Sequence, residues 1–181
     1  ITLVGRISRL KGHKWLLMTY LNQLKNYENI KILFVGSPVQ GQEYYLEEIE
    51  EIINNNGLTD TVKILPFTKD LSKVWSITDI AVMPTTEPES FGLVAVEAML
   101  SKKPIIGSNH GGLTEIIINK ETGFLVEPNN QKQLSEALNE LIKNQELREK
   151  FGNAGYQRAV SEFSVDKYVS SIENLFDKIL K

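Results

Sequence analysis

The chain has 181 residues, 41% of them hydrophobic, and 20 Lys and Arg against 23 Asp and Glu give a net charge of −3. That is enough apolar material for one real core, and it excludes a predominantly disordered chain. With no cysteine and two histidines, disulfide frameworks, thiol catalysis, thiolate metal sites and a His-rich metal centre are excluded, no basic stripe suits nucleic-acid phosphates, and no apolar run nears the ~20 residues of a membrane-spanning helix.

The chain begins at Ile1 inside a strand-like run and its first methionine is Met18, so it is expected to be a piece of a longer polypeptide. Short apolar, β-branched runs predict strands at residues 2–5, 31–36, 62–65, 80–84, 104–107 and 123–126. Each is apolar on both faces, as in a parallel sheet covered by helices on both sides. Helical spacing fills the intervals at 15–24 and 43–54. In the second of these Leu46, Ile49, Ile52 and Ile53 form one stripe, Glu47, Glu48, Glu50 and Glu51 face water, and Gly57 stops the helix. After the fourth strand a Pro-containing loop is expected to enter a helix at about Phe91, with Ser90 as its cap. Leu134, Ala137, Leu138, Leu141 and Ile142 share one helical face. Val165, Tyr168, Val169, Ile172, Leu175, Phe176 and Ile179 repeat the pattern in a last helix capped by Ser164. Strand–helix alternation without internal repeats predicts one α/β domain over 1–181, a doubly wound, Rossmann-like parallel sheet of about six strands. Ligands of such sheets bind beyond the carboxyl ends of the strands, where strand order reverses.

The loop after the first strand reads Gly5-Arg6-Ile7-Ser8-Arg9-Leu10-Lys11-Gly12-His13. An Arg fork and a Lys point charge between two glycines suit a diphosphate; the alternative is a solvated βα turn with two surface cations. Neither the P-loop spacing nor Gly-x-Gly-x-x-Gly is present. The stretch 84–99 places Gly92, Leu93 and Val94 in a first helical turn, where unpaired N–H groups attract anions. Glu89 precedes that helix, and Glu97 lies nearly two turns inside it among Val94, Val96 and Met99. A carboxylate in apolar surroundings needs donors, such as paired ribose hydroxyls; the alternative is a solvated helix position. Glu87 reads as solvated, His13 as a helix N-terminal residue, His110 as a loop residue, and Tyr44, Tyr45 and Trp75 as packing residues.

The Arg6…Lys11-Gly12 loop, the Glu89-x7-Glu97 spacing around Phe91-Gly92, and Gly111-Gly112-Leu113-Thr114-Glu115 followed by Thr122-Gly123-Phe124 together resemble the signatures of family 4 glycosyltransferases, or glycosyl transferases group 1. The similarity runs from Val4 to about Arg158. It implies retaining enzymes of the two-domain GT-B type, of which this chain would be the C-terminal, donor-binding domain. The resemblance assigns the donor's diphosphate to Arg6, Lys11 and the backbone N–H groups of Gly92, Leu93 and Val94, with no metal and no cofactor. It assigns the ribose hydroxyls to Glu97, the transferred sugar to Glu89, and the nucleobase to the loop Leu65-Pro66-Phe67. Pro66 departs from the more usual glycine and cannot donate a hydrogen bond, which leaves the base open.

The implied reaction transfers a hexosyl unit from a UDP- or GDP-sugar to an acceptor hydroxyl, in cell-envelope polysaccharide or glycolipid synthesis. The implied partners are a nucleotide sugar and an N-terminal acceptor domain of the same polypeptide, with the segment 164–181 crossing to that domain while packing in part on this one. Nucleic acid and a transmembrane segment are not expected. The location is expected to be cytoplasmic, with peripheral attachment of the full-length enzyme at the inner membrane face left open. Alone, the domain is expected to bind donor weakly and to transfer little or nothing. Two other readings stand beside this one: a nucleotide-binding module without transferase activity, and an epimerase or phosphorylase of similar fold. A phosphorylase would need a pyridoxal-phosphate lysine, for which Lys102 and Lys103 lie in an unsuitable helix-to-strand turn.

Overall fold

A computed structural model describes residues 1–180; residue 181, the end of the expected terminal segment, lies outside the described residues. Among the described residues six strands, β1 (Thr2–Val4), β2 (Ile32–Val35), β3 (Val62–Leu65), β4 (Ala81–Met83), β5 (Ile105–Ser108) and β6 (Gly123–Val126), form one sheet in the order β3-β2-β1-β4-β5-β6. Every pairing is parallel. All six fall on the runs expected from the sequence, within a residue or two of their bounds. The order reverses between β1 and β4, so the loops leaving these strands flank the crevice where ligands of doubly wound sheets bind.

Alternation along the strands sends side chains into two separate cores. On one face Leu3, Phe34, Val82 and Ile106 meet α1 (His13–Thr19), α2 (Tyr44–Asn55) and α6 (Gln131–Lys143). On the other Ala81, Met83 and Ile105 meet α3 (Ser72–Ser76), α4 (Leu93–Leu100), α5 (Leu113–Ile116) and α7 (Gln145–Glu162). The expected helix at 15–24 is realised as α1 followed by a π-helical stretch, Tyr20–Leu24. Trp75 is buried as expected, whereas Tyr44 is exposed, its ring centroid 4.2 Å from that of Tyr45.

Helices α3 and α7 carry no apolar stripe that the sequence reading picked out. Asn144, between α6 and α7, accepts from the Leu147 N–H at 2.9 Å and so caps the start of α7. Within α7 the buried contacts are made partly by glycines: a Cβ on Gly152 would lie 2.2 Å from the Lys102 carbonyl oxygen. Helix α8 (Val165–Ile179) starts at Ser164, whose Oγ accepts from the Lys167 N–H at 3.2 Å. It has no buried residue; its apolar stripe is exposed along its length. Residues of its first two turns, Val165, Lys167, Tyr168 and Ser171, border a cleft shared with Phe91 and Phe163. Among the described residues no helix is long and apolar enough to cross a membrane.

Candidate functional site

The crevice at the strand-order reversal is entered first by the loop between β1 and α1. Its end is fixed by Gly12, which has φ 74° and caps α1; a Cβ there would sit 1.7 Å from the Pro84 carbonyl oxygen. Only glycine lets the start of α1 lie against the end of β4, and this contact sets Lys11 beside the loop that carries Glu89. Lys11 Nζ donates to the Glu89 carboxylate, with both side chains mostly shielded from water. Nearer the surface Arg9 pairs with Glu87 at 3.6 Å, and both of these are well exposed. That is the solvated role expected of Glu87.

Helix α4 begins later than the sequence suggested. Gly92, not Ser90, precedes it, with φ 107°, and the first helical residue is Leu93 rather than Phe91. The reason lies in packing: Gly92 is held in the left-handed region with the Leu113 side chain 2.8 Å from the place of a Cβ, a position no serine cap could take. Glu97 consequently sits just over one turn into the helix, not nearly two. Among the described residues the N–H groups of Leu93 and Val94 have no acceptor, while the Ala95 N–H turns back to the Gly92 carbonyl at 2.8 Å. Gly92 is buried and Leu93 is exposed.

Arg6, Lys11, Val94 and Glu97 line one cavity of about 660 Å³, together with Ser37, Phe67 and Lys69. The volume suits a nucleotide-sized ligand. Arg6 is exposed toward it, and burial pushes the Glu97 carboxyl above its ordinary value. The cavity therefore combines free positive charge with a carboxylate that gains from any donor placed beside it. Of the other expected site residues, Glu89 joins through Lys11, and Gly92 and Leu93 lie at the α4 terminus without lining the cavity. Leu65 and Pro66 do not line it either. Leu65 ends β3 with its carbonyl accepting from the Gly36 N–H at 2.9 Å, Pro66 is exposed, and Phe67 supplies that wall. The Phe67 N–H is already given to Ser37 Oγ at 3.0 Å.

Ser37 and Lys69 are among the lining residues the sequence reading missed, with Pro38, Thr68 and Leu71. All follow strands at the carboxyl edge, a signal that marks position but not direction. His13 is fully buried against Phe34, ring centroids 5.0 Å apart, with both ring nitrogens unpartnered. Burial, reinforced by Lys11, holds its pKa down at about 4, so it stays neutral in the core and takes no part in the cavity. His110 Nε2 lies 3.0 Å from Thr85 Oγ1. Lys102 and Lys103 lie before β5, at the amino edge of the sheet away from the cavity, with Lys102 over the Tyr156 ring at 5.1 Å.

The sequence profile described as "Glycosyl transferases group 1" matches residues 1–158. Among curated proteins the chain is 29% identical over 178 residues to the capsular polysaccharide biosynthesis glycosyltransferase CapM of Staphylococcus aureus, covering 98% of this chain and 46% of that protein. It is 32% identical over 181 residues to a D-inositol 3-phosphate glycosyltransferase of Corynebacterium kroppenstedtii, covering 98% of this chain and 39% of that one. Among solved structures, Anabaena Alr3699/HepE in complex with UDP and glucose superposes with a TM-score of 0.90 at 26% identity, over 97% of this chain and 47% of its own. The chain thus spans less than half the length of these relatives.

Proposed function

Because the chain belongs to the glycosyl transferases group 1 family, we propose that it is the donor-binding half of a retaining GT-B glycosyltransferase that moves a hexosyl unit from a UDP- or GDP-sugar to an acceptor hydroxyl. The observation that carries this is the meeting of Arg6, Lys11, the α4 N-terminal turn and Glu97 around one cavity at the carboxyl edge of the sheet. The UDP held by the HepE neighbour supports a uridine donor.

As the acceptor oxygen attacks the anomeric carbon, negative charge grows on the departing nucleoside diphosphate. Arg6 and Lys11 meet that charge with cations, and the start of α4, which reaches the cavity at Val94, meets it with the positive end of the helix, so the reading needs no metal and no cofactor. Removing one pre-aimed donor of this kind costs about a hundredfold to a thousandfold in turnover. Glu97 accepts from the ribose hydroxyls, which offset the cost of its burial. Glu89, adjacent through Lys11, faces the transferred sugar. Pro66 has no N–H and that of Phe67 is taken by Ser37, so the base rests on the Phe67 ring more than on these backbone donors.

The acceptor site in this reading belongs to an N-terminal domain of the same polypeptide, which α8 reaches with its uncovered stripe. Alone, the chain binds donor weakly and transfers little. A cytoplasmic location and an envelope polysaccharide or glycolipid product complete the proposal; the absence of cysteine and the kinship with CapM support them. Calorimetric titration of UDP and GDP into this chain tests the core of it. Saturable binding of at least one is expected, and binding of neither contradicts it.

A further inference from the structure

We propose that Arg158, on α7 and remote from the cavity lining, is a positioning residue that braces the donor site by holding two loops against each other. The inference rests on the donor-site reading above for its functional half, and on contacts alone for its structural half. Arg158 is half-buried, and its guanidinium donates twice into the C-terminal end of the short helix α5: Nε to the Ile116 carbonyl at 2.8 Å and Nη2 to the Glu115 carbonyl at 2.6 Å. A cation on the last carbonyls of a four-residue helix satisfies groups that such a helix cannot satisfy itself.

The opposite end of α5 is where the braced contact lies. The Gly112 N–H donates to the Glu89 carbonyl at 2.7 Å. A Cβ on Gly111 would lie 2.5 Å from that same carbonyl oxygen, and one on Gly112 would lie 2.3 Å from the carbonyl oxygen of Phe91. The glycine pair is therefore seated directly on the backbone of residues 89–91, which presents Glu89 to Lys11 and leads into α4. Leu113, the next residue, places a methyl 2.8 Å from where a Cβ on Gly92 would lie, at the same helix entrance.

Arg158 also reaches the second loop by another route. Its guanidinium lies over the Phe163 ring at 5.5 Å, and Phe163 meets Phe91 edge-to-face at 5.9 Å. One side chain thus grips α5 by two hydrogen bonds and backs the Phe91 side of the loop through an aromatic pair. Letting go would loosen the Gly112–Glu89 bond, shift the Glu89 carboxylate, and leave Arg6 and Glu97 on their own elements undisturbed.

Amide hydrogen exchange by NMR on this chain, unsubstituted and as Arg158→Met and Arg158→Lys, tests the structural half. Arg158→Met should speed exchange at Gly112 by about tenfold while the Phe34 and Ile106 amides keep their protection. Arg158→Lys should recover part of that protection, since one ammonium can reach one of the two carbonyls. Unchanged Gly112 exchange, or equal acceleration at all three amides, overturns the brace. Titration of UDP and UDP-glucose into the same proteins tests the functional half. Arg158→Met should reduce the preference for UDP-glucose over UDP by about the same factor with UDP affinity retained; an unchanged preference overturns the positioning role. Failure of the unsubstituted chain to bind either ligand would count against the donor reading, and the exchange result would still decide whether Arg158 holds the turn.

Discussion

The Lys11 ammonium donates to the Glu89 carboxylate across 78 positions of sequence, joining the loop after β1 to the loop before α4. Each side chain is partly shielded, 25% exposed for Lys11 and 17% for Glu89, so the pair lies between the exposed and the fully buried limits. Lys11→Met should therefore cost about 1–2 kcal/mol of stability, because it leaves a half-buried carboxylate without its partner. Adding Glu89→Gln should restore part of the loss. A double-mutant cycle by urea unfolding checks this, and strictly additive effects would show that the two groups do not act as a pair.

Glu97 and Glu89 divide the ligand between them. Glu97→Ala should weaken UDP binding by about tenfold or more, the worth of a charge-assisted hydrogen-bond pair to the ribose. Glu89→Ala should leave UDP binding nearly intact and abolish the extra affinity of UDP-sugar over UDP. Titrations of both ligands into both variants decide it; the opposite pattern would mean that the two carboxylates exchange roles.

His13 makes the fold acid-sensitive. Its pKa lies at about 4 in the folded chain against the ordinary 6.5, so between these values the unfolded chain binds a proton that the folded chain refuses. Stability is fully present above the ordinary value, falls as pH drops through that window, and levels off below it, with a total loss of roughly 3 kcal/mol from this group. His13→Leu keeps the contact with Phe34 and removes the titration. Urea unfolding at neutral pH and at two points inside the window should show a flatter profile for the variant; parallel profiles would assign the acid loss elsewhere.

Helix α8 contributes little to this domain's own stability, since none of its residues is buried. Shortening the chain after Phe163 should move the thermal midpoint by no more than about 4 °C, the shift of a loss near 1 kcal/mol in a domain of this size. It should also lower the binding of a hydrophobic dye, because Tyr168, Leu175, Phe176 and Ile179 leave the surface. A collapse of the midpoint would show that the helix is integral to the core.

Five of the six strands were legible because they are apolar on both faces, the pattern of a doubly covered parallel sheet, whereas β3, at the sheet edge with Lys63 and Leu65 exposed, was legible from its β-branched Val62 and Ile64. Helices α2 and α6 were legible from one-sided stripes. Helix α7 was not, because Gly152 and Gly155 let it approach Lys102 and Met99 by backbone contact, where an apolar stripe would otherwise serve. The start of α4 was misjudged for a similar reason. Ser90 has the chemistry of a cap, yet tertiary contact with Leu113 places a left-handed glycine two residues later. In the candidate site Arg6, Lys11 and Glu97 were legible from residue type and spacing, and the structure brings them to one cavity. Phe67 was legible as part of the base-side loop, and it is the residue of that loop that lines the cavity, but the ion pair of Lys11 with Glu89 and the brace from Arg158 depend on which loops meet in space, which no local pattern encodes.

The central claim is that two cations and one helix terminus grip a single diphosphate, and it is tested most directly by titrating UDP and uridine into the unsubstituted chain and into Arg6→Ala/Lys11→Ala. The double variant should lose about a hundredfold in UDP affinity, at roughly 1.5 kcal/mol for each charged contact, and keep its affinity for uridine. Equal UDP affinity in the two proteins would contradict the clamp and, with it, the donor site built around it.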